Sequence, residues 1–427
     1  MKKKYRRCWS FFLTLAMVLS LMTGMAANVK AAGTFDYSLY YSAGRLYRDA
    51  AFTEEVTGLS GWSGDGSTLT LSGLNFVTTA AVALTVPDGT EVVLAQGTAS
   101  TLKSAAPAAV LSAGLACTGS LTIAGSGTLE AQGGSASGAA AVTESDGIAA
   151  AGGLIVEGTP VIQASGGPVQ SSAQNNALAF SAGIYVKAGG FAIRGAAVIT
   201  ASSDQVSGTE TDSNLVSDGI YVLAGDFTAE APASLTAVSN KAEHPADPAS
   251  ETNINSYAVC VFDNVNLAGS TGQPVSLALS SKDTAFGRGL YASTLGLQQA
   301  VVQAGSKDAY DLCVGITLEK DIALDDCQLT GYCTSDCLRN YAGALAISNS
   351  TIDIYSRSEY SAVFGTAELN IAGSQISVRG GLDGLGSNGQ ITIADSTVSC
   401  QPLSGYEQNT AWGIASEGTG GDITIMD

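Results

Sequence analysis

The chain is poor in the residues from which most active sites are built. Of its 427 residues, 13% are charged, 7% are aromatic and a single one, His244, is a histidine. Long amphipathic patterns with a helical period are missing beyond the N-terminal segment, which disfavours an α/β enzyme fold. His244 lies in the proline-rich stretch 241–248. The sequence therefore predicts a solvated loop histidine rather than a catalytic one.

Cysteine is scarce and irregularly spaced. After the N-terminal segment, seven remain, at positions 117, 260, 313, 327, 333, 337 and 400. An odd number scattered in this way is not typical of a disulfide framework. Cys333 and Cys337 have the spacing of half a metal site, but no histidine or second close pair accompanies them. We interpret these cysteines as small buried or loop thiols, with room for one bridge between residues 327 and 337.

The N-terminus has the parts of a secretory signal peptide: five basic residues between 2 and 7, an apolar core at 11–22 and a small-residue exit at 29–31. We expect residues 1–31 to be removed, which leaves a secreted or cell-surface protein without a transmembrane segment. The formal charge then changes from −19 to −19 − 6 = −25, because this segment holds six basic residues and no acidic ones. Such a charge repels nucleic acid and anionic polymers, and could collect calcium. A monomer is expected.

One short unit, an apolar strand, a turn and a second apolar strand, recurs along the chain. Its clearest copy is Ile-Thr-Ile-Ala-Asp-Ser-Thr-Val at 391–398, and aligned copies begin at 154, 191, 323, 345 and 369. One aligned column contains Gly158, Gly195, Asp326, Asn349, Gly373 and Asp395. Glycine, asparagine and aspartate tolerate positive φ, so this column predicts a repeated left-handed turn between two strands.

The spacing of these turns indicates a solenoid. The last four turn residues are 23, 24 and 22 positions apart, and Gly158 and Gly195 are 37 apart. Three short strands with three turns fit a coil of 22 to 24 residues, and the period-2 alternation within each unit indicates strands. The sequence predicts an all-β fold, a parallel β-helix whose 37-residue coils carry inserted loops.

A second column lies upstream of each turn, in Gly-Ile-Tyr-Val and related steps. Ile184, Ile220, Val259 and Leu290 are predicted to form an aliphatic ladder inside the tube, because they share one face. Tyr185, Tyr221 and Tyr291 fall on the other face. The polar insertions 166–178, 202–217 and 239–256 all follow the third strand of a coil, so we expect them to form a side wall at one edge.

Three segments follow from this organisation. Residues 1–31 are the signal peptide, and the aromatic segment 32–61 is a strand and cap that covers the first coil. Residues 62–427 are the β-helix. The final segment, 422–427, matches the start of another repeat and stops at its turn position. We therefore expect a chain that ends in the middle of a coil.

The chain resembles secreted β-helix proteins of anaerobic Gram-positive bacteria that are classed with the carbohydrate-binding β-helix domain family. The likeness lies in Gly-Asp-Gly-Ser-Thr-Leu-Thr-Leu-Ser-Gly-Leu at 64–74, in Gly-Ser-Leu-Thr-Ile-Ala-Gly-Ser-Gly-Thr-Leu-Glu-Ala at 119–131 and in the Gly-Ile-Tyr steps. The resemblance implies a right-handed parallel β-helix of the pectin-lyase type, polysaccharide binding at the cell surface, and bound calcium in members with Asp-rich turns. This turn column departs from that pattern, with Gly or Asn at four of its six positions and Asp at two. Asp146 and Asp218, each before a Gly-Ile step, are the closest matches to an acidic column.

Two other functions fit a β-helix. A polysaccharide lyase or hydrolase of the pectinase type would need paired carboxylates, or a carboxylate cluster beside a basic residue. Asp325 and Asp326 are the only adjacent Asp pair, and Asp326 is already explained by the turn column. The Gly-His-Gly and Arg-x-Lys motifs of such hydrolases do not occur. Non-catalytic binding or adhesion is therefore preferred, and a passive spacer at the cell surface is the third possibility.

The candidate binding residues are the outward tyrosines Tyr185, Tyr221 and Tyr291, whose rings could stack on sugars. The alternative is that these rings stack between coils and stabilise the fold. If they bind, replacing Tyr185 and Tyr221 by alanine abolishes retention on insoluble polysaccharide at little cost in thermal stability. If the rings only stabilise the fold, the same variant loses thermal stability and keeps its retention on polysaccharide.

Overall fold

The structure is a computed structural model. It describes residues 34–426, except 106, 109, 173–176, 210–212, 245–253, 284–286, 310, 358–360, 381–382, 402–411 and 417–421. The predicted signal peptide lies outside the described residues. Within the described part, every regular element is a strand, and these strands form four sheets.

We number the described strands β1 to β45 in chain order. Sheet 1 contains β1 (Leu39–Ser42), β2 (Arg45–Tyr47), β6 (Val82–Val86), β9 (Leu111–Cys117), β13 (Val142–Ala150), β17 (Leu178–Val186), β21 (Asn214–Val222), β25 (Ile254–Asn255), β26 (Tyr257–Val261), β29 (Arg288–Ala292), β32 (Val314–Leu318), β35 (Leu338–Asn340), β38 (Val363–Gly365), β41 (Asp383–Ser387) and β44 (Trp412–Ser416). Sheet 2 contains β3 (Trp62–Asp65), β4 (Thr68–Leu71), β7 (Thr90–Leu94), β10 (Leu121–Gly125), β14 (Leu154–Gly158), β18 (Phe191–Gly195), β22 (Phe227–Glu230), β27 (Asn264–Ala268), β30 (Thr294–Gln298), β33 (Ile322–Asp325), β36 (Ala344–Ser348), β39 (Glu368–Ala372), β42 (Gln390–Ala394) and β45 (Ile423–Met426).

Sheet 3 contains β5 (Asn75–Thr78), β8 (Ala99–Ser104), β11 (Thr128–Gln132), β15 (Val161–Ser165), β19 (Val198–Ser202), β23 (Ser234–Ser239), β28 (Val275–Ser281), β31 (Ala300–Ala304), β34 (Gln328–Cys333), β37 (Thr351–Ser356), β40 (Gln375–Gly380) and β43 (Thr397–Gln401). Sheet 4 contains β12 (Ala136–Gly138), β16 (Val169–Ser171), β20 (Val206–Gly208) and β24 (Ala242–Glu243).

The chain visits these sheets in a fixed order. From β13 it passes to sheet 2, sheet 3 and sheet 4, then returns to sheet 1 at β17. Most strands pair in parallel with the strand one coil later, as β13 does with β17 and β17 with β21. The fold is therefore all-β with long parallel sheets, consistent with the predicted solenoid.

The aliphatic ladder predicted inside the tube is confirmed. Ile184 pairs with Ile220, Ile220 with Val259, and Val259 with Leu290. All four side chains are at most 1% exposed and belong to one core that extends through the described coils. Each aliphatic side chain buries its surface against the equivalent side chain in the next coil, so the interior of the tube is apolar.

The left-handed turn column is confirmed as well. Its six residues, Gly158, Gly195, Asp326, Asn349, Gly373 and Asp395, have φ values between +48° and +102°. The next residue stacks too: the backbone N–H of Ser350 donates to the Ser374 hydroxyl at 3.1 Å, and that of Ser374 to the Ser396 hydroxyl at 3.0 Å. These bonds satisfy turn amides that strand pairing leaves free.

Asn349 provides a test of this turn. Replacement by valine should lower the free energy of unfolding by about 1–2 kcal/mol, because a β-branched residue fits the left-handed region poorly. Replacement by glycine should change it far less, since glycine adopts this φ freely. Chemical denaturation of both variants measures the difference. Equal losses would show that the Asn349 side chain matters more than its φ.

An antiparallel hairpin of β1 and β2 stacks on the first coil, where β1 pairs in parallel with β6. The Phe35 ring stacks on Phe76 with centroids 4.6 Å apart, and Tyr41 is 1% exposed. This end of the tube is therefore covered by aromatic side chains from the segment in which the sequence predicts a cap.

The insertions lie at one corner, as predicted, but they are more than loops. Each of the three contributes one strand of sheet 4, β16, β20 or β24, and residues 136–138 contribute the fourth, β12; these strands pair in parallel register. A second, small apolar core is formed jointly by sheet 4 and sheet 1, from Ala136, Val169, Ala179, Val206, Leu215, Ala242 and Ile254. Buried serines of sheet 1 attach sheet 4: the N–H groups of Gly134, Gly167 and Asp204 donate to the hydroxyls of Ser112, Ser145 and Ser181 at 2.7 to 2.9 Å.

Candidate functional site

The outer face of sheet 1 holds the three predicted tyrosines in one column. Tyr185 pairs with Tyr221, Tyr221 with Cys260, and Cys260 with Tyr291, so Cys260 interrupts the row of tyrosines. The rings of Tyr185 and Tyr221 are stacked, with centroids 5.5 Å apart and planes inclined by 15°. The face on which these tyrosines lie, their order along the tube and the stacking of Tyr185 on Tyr221 therefore follow from the repeat.

Burial separates Tyr185 and Tyr221 from Tyr291. The first two are 9% and 8% exposed, because Phe180 packs edge-on against Tyr185 and they share an outer apolar cluster with Val216, Tyr257 and Cys260. Their ring faces are occupied by protein, which favours the stabilising role. Tyr291 is only partly buried against this cluster. Of the three, it is the one whose ring a ligand could reach.

Two rings near Tyr291 that the sequence did not single out are more exposed. Phe262 is 48% exposed and its ring lies 6.1 Å from that of Tyr291. Tyr341 is 56% exposed. Both follow the last residue of a sheet 1 strand, β26 or β35, at a corner where most coils carry polar or small residues. An aromatic residue at a position that is polar or small in most coils is the sequence signal by which Phe262 and Tyr341 could have been identified.

The tyrosine column continues past Tyr291 through Thr317 and Arg339 to Phe364, one coil at a time. These are three coil steps, roughly 14 Å along the tube. The Arg339 guanidinium lies over the rings of Tyr341 and Phe364, 5.0 and 5.7 Å from their centroids. We call Phe262, Tyr291, Tyr341 and Phe364 the aromatic strip.

Charged groups border the aromatic strip. Arg288 donates to the Tyr257 hydroxyl at 2.6 Å, and Arg339 forms an ion pair with Asp336 at 2.9 Å. The Tyr291 hydroxyl donates to the exposed carboxylate of Glu319. Burial, reinforced by this hydrogen bond, raises the pKa of Tyr291, so its hydroxyl stays protonated. The strip thus combines apolar ring faces with donors and acceptors at its edges.

The carboxylates named as possible calcium ligands lie beneath the outer tyrosines. Asp146 and Asp218 both pair with Ala182 from opposite sides, which places them two coils, about 10 Å, apart. Calcium–oxygen distances are about 2.3–2.6 Å, so they do not combine in one calcium site. Among the described residues, no group of three or more His, Cys, Asp or Glu is placed to hold a metal ion.

Both carboxyls are fully buried, and burial is the main cause of their altered acidity. It raises the pKa of Asp218 to about 7, although the Tyr257 N–H donates to Oδ1 at 2.8 Å. Burial and then the neighbouring Glu144 charge raise the pKa of Asp146 well above its usual value. A protonated carboxyl is a poor calcium ligand, because the hard cation prefers charged oxygen. Calcium at these positions stays a prediction of the resemblance.

No family model, curated protein or solved structure matches this chain. In the part of the chain that the structure describes, no helix is long and apolar enough to cross a membrane.

Two other sequence interpretations can be compared with the structure. The prediction of a solvated His244 is wrong, because its side chain is 0% exposed at the end of the sheet 4 insertion. The turn explanation of Asp325 and Asp326 is supported. Asp326 has a φ of +52°, and the Asp325 carboxylate accepts hydrogen bonds from Ser348 and Asn349 at 2.8 and 3.0 Å.

Proposed function

We propose that this chain is a secreted, non-catalytic protein that binds polysaccharide along the aromatic strip. The exposed ring faces of Phe262 and Tyr341, on either side of Tyr291, carry the proposal. Exposed apolar side chains that are grouped in one patch mark interaction surfaces. The likeness of the repeats to the carbohydrate-binding β-helix family, a right-handed parallel β-helix, points to the same class of ligand.

The chemistry of the strip suits a sugar polymer. Aromatic rings offer flat apolar surface to the C–H faces of sugar rings, and tyrosine adds a hydroxyl. Glu319 supplies acceptors and Arg288 supplies donors for sugar hydroxyls at the edge of the strip. The strip runs along the tube across several coils, which matches an extended ligand. With a charge of −25 after loss of the leader, the protein should favour an uncharged polysaccharide over a polyanion.

Retention on insoluble glycans tests this function. We expect the mature chain to be retained on at least one uncharged polysaccharide of a plant, mucin and bacterial panel. The variant Phe262→Ala with Tyr341→Ala should weaken retention roughly tenfold or more, because each exposed ring contributes on the order of 1 kcal/mol. Its melting temperature should stay close to that of the parent, since both rings are about half exposed.

Phe52→Ala is the matched control, because Phe52 is 45% exposed but lies on the N-terminal cap. It should leave retention unchanged. Equal weakening by the control and the strip variant would contradict the proposal. A blank panel would favour the spacer, release of reducing ends would favour an enzyme, and loss of retention with chelator would restore the calcium prediction. Tyr185→Ala with Tyr221→Ala should lower the melting temperature if the buried rings are structural.

A further inference from the structure

Cys333 and Cys337 face each other at the corner where sheet 3 leads into sheet 1. Cys333 ends β34 and Cys337 immediately precedes β35. Both are at most 1% exposed and belong to the main core. Their thiols are within hydrogen-bond reach of each other. Neither belongs to a disulfide.

The equivalent positions in other coils show how unusual this corner is. Cys333 pairs with Ser356 and occupies a column in which earlier coils have serine, as at Ser239 and Ser281. Cys337 occupies the column of Gly147, Gly183 and Gly219, as its amide bond to Ala362 and the pairing of Leu338 with Ile316 show. One coil therefore replaces a serine and a glycine of the repeat by a pair of cysteines.

Space for the second thiol comes from glycine on the facing strand. At Gly183 an added Cβ would lie 2.4 Å from the backbone nitrogen of Ser202, so this coil has no room for a side chain at that position. In the Cys337 coil the facing residue is Gly331, whose added Cβ would lie 3.2 Å from the Cys337 sulfur. An added Cβ at Gly315 would lie 2.9 Å from the Cys333 sulfur. Gly315 and Gly331 thus bound a pocket that holds two sulfur atoms.

We propose that Cys333 and Cys337 are a modification site, which forms an intramolecular disulfide when the chain folds outside the cell. The two thiols lie within hydrogen-bond reach of each other, and only three residues separate the two cysteines. Disulfides form and persist in the oxidising surroundings that the predicted export implies. The bond would join the end of sheet 3 to the start of sheet 1 in this coil.

The reaction is a thiol–disulfide exchange with a low-molecular-weight disulfide as oxidant. One thiol loses its proton and attacks the oxidant, which forms a mixed disulfide and releases one reduced thiol. The second thiolate then attacks the protein sulfur and expels the other half of the oxidant as a thiol. Two protein thiols lose two electrons and two protons, and one oxidant disulfide becomes two thiols. Burial raises the pKa of the Cys333 thiol, so exchange should occur during folding, before the corner closes.

The test uses the full chain refolded with reduced and oxidised glutathione. After denaturation and alkylation, the peptide that contains both cysteines should carry no alkyl group and weigh about 2 Da less than the dithiol form. Prior reduction should restore two alkylation sites. The oxidised protein should melt roughly 2–4 °C above the reduced protein.

Cys333→Ser is the informative variant, because serine occupies this column in neighbouring coils and should fold. It should leave Cys337 fully alkylated and abolish the difference in melting temperature between oxidising and reducing buffer. Cys327→Ser, outside the pair, should keep both the link and the difference. Full alkylation of Cys333 and Cys337 in the refolded parent chain, or a link from either to another cysteine, would overturn the proposal.

Discussion

Asp218→Asn is expected to make the protein more stable at pH 8. Burial raises the pKa of Asp218 to about 7 in the folded state, against an ordinary value near 3.8. The folded chain therefore holds this proton more tightly than the unfolded chain. The stability that this proton contributes is fully present below about pH 4, falls as the pH rises towards 7, and stays low above it. Three pH units correspond to about 4 kcal/mol.

Asparagine keeps the carbonyl oxygen that accepts the Tyr257 N–H, and it cannot ionise. The groups that face Asp218 are Tyr221, Tyr257, Cys260 and Arg288, and they are unchanged in the variant. Chemical denaturation at pH 4.5 and pH 8 should show a smaller loss of stability for the variant than for the parent chain. Asp146 shifts in the same direction, so the double variant Asp146→Asn with Asp218→Asn should be flatter still.

Asp395→Asn is a suitable control for this experiment. Asp395 is exposed at a left-handed turn, which asparagine also tolerates. Its stability profile should follow that of the parent chain. If Asp218→Asn and Asp395→Asn have the same effect, the pH dependence arises from the overall negative charge rather than from the buried carboxyl.

Gly183→Ala is expected to cost more than about 4 kcal/mol, or to prevent folding of the coil. An added Cβ would lie 2.4 Å from the backbone nitrogen of Ser202 and 2.7 Å from the carbonyl oxygen of Gly219. Both neighbours are backbone atoms of adjoining strands, which cannot move without breaking the parallel ladders. Thermal unfolding and limited proteolysis of the variant measure the loss.

Gly89→Ala separates the effect of this crowding from the effect of a positive φ, which glycine adopts freely. Gly89 has a φ of +73° and open space around its missing Cβ. Its replacement should cost only about 1 kcal/mol, because alanine is strained there but meets no atom. Comparable losses for the two variants would show that contact between the strands does not set the requirement at Gly183.

The sequence predicted the features that repeat within each coil. The residues of the turn column adopt positive φ, and Ile184, Ile220, Val259 and Leu290 stack inside the tube. These features depend on which residue types tolerate a left-handed turn and on period-2 alternation. Both are local properties of the chain, and repetition makes them visible without coordinates.

The candidate site followed from the sequence only in part. Alternation placed Tyr185, Tyr221 and Tyr291 on the outer face, but it carries no information about what covers that face. Phe180 comes from the same strand as Tyr185 and folds over it, so two of the three rings are buried. Phe262 and Tyr341 lie at turns. Neither the strand period nor the turn column predicts whether a side chain at these turns points inward or outward.

By itself the sequence determined the coil: its length, its inward residues and the residues at its left-handed turns, because each depends on neighbours a few positions away. Only the tertiary structure decided which outward groups meet solvent and which are covered. It places Asp146 and Asp218 in an apolar layer, assembles the insertions into sheet 4 and brings Cys333 against Cys337. Exposure is the physical reason for the difference, since it depends on how side chains pack against one another in three dimensions, and neither the strand period nor the turn column records that packing.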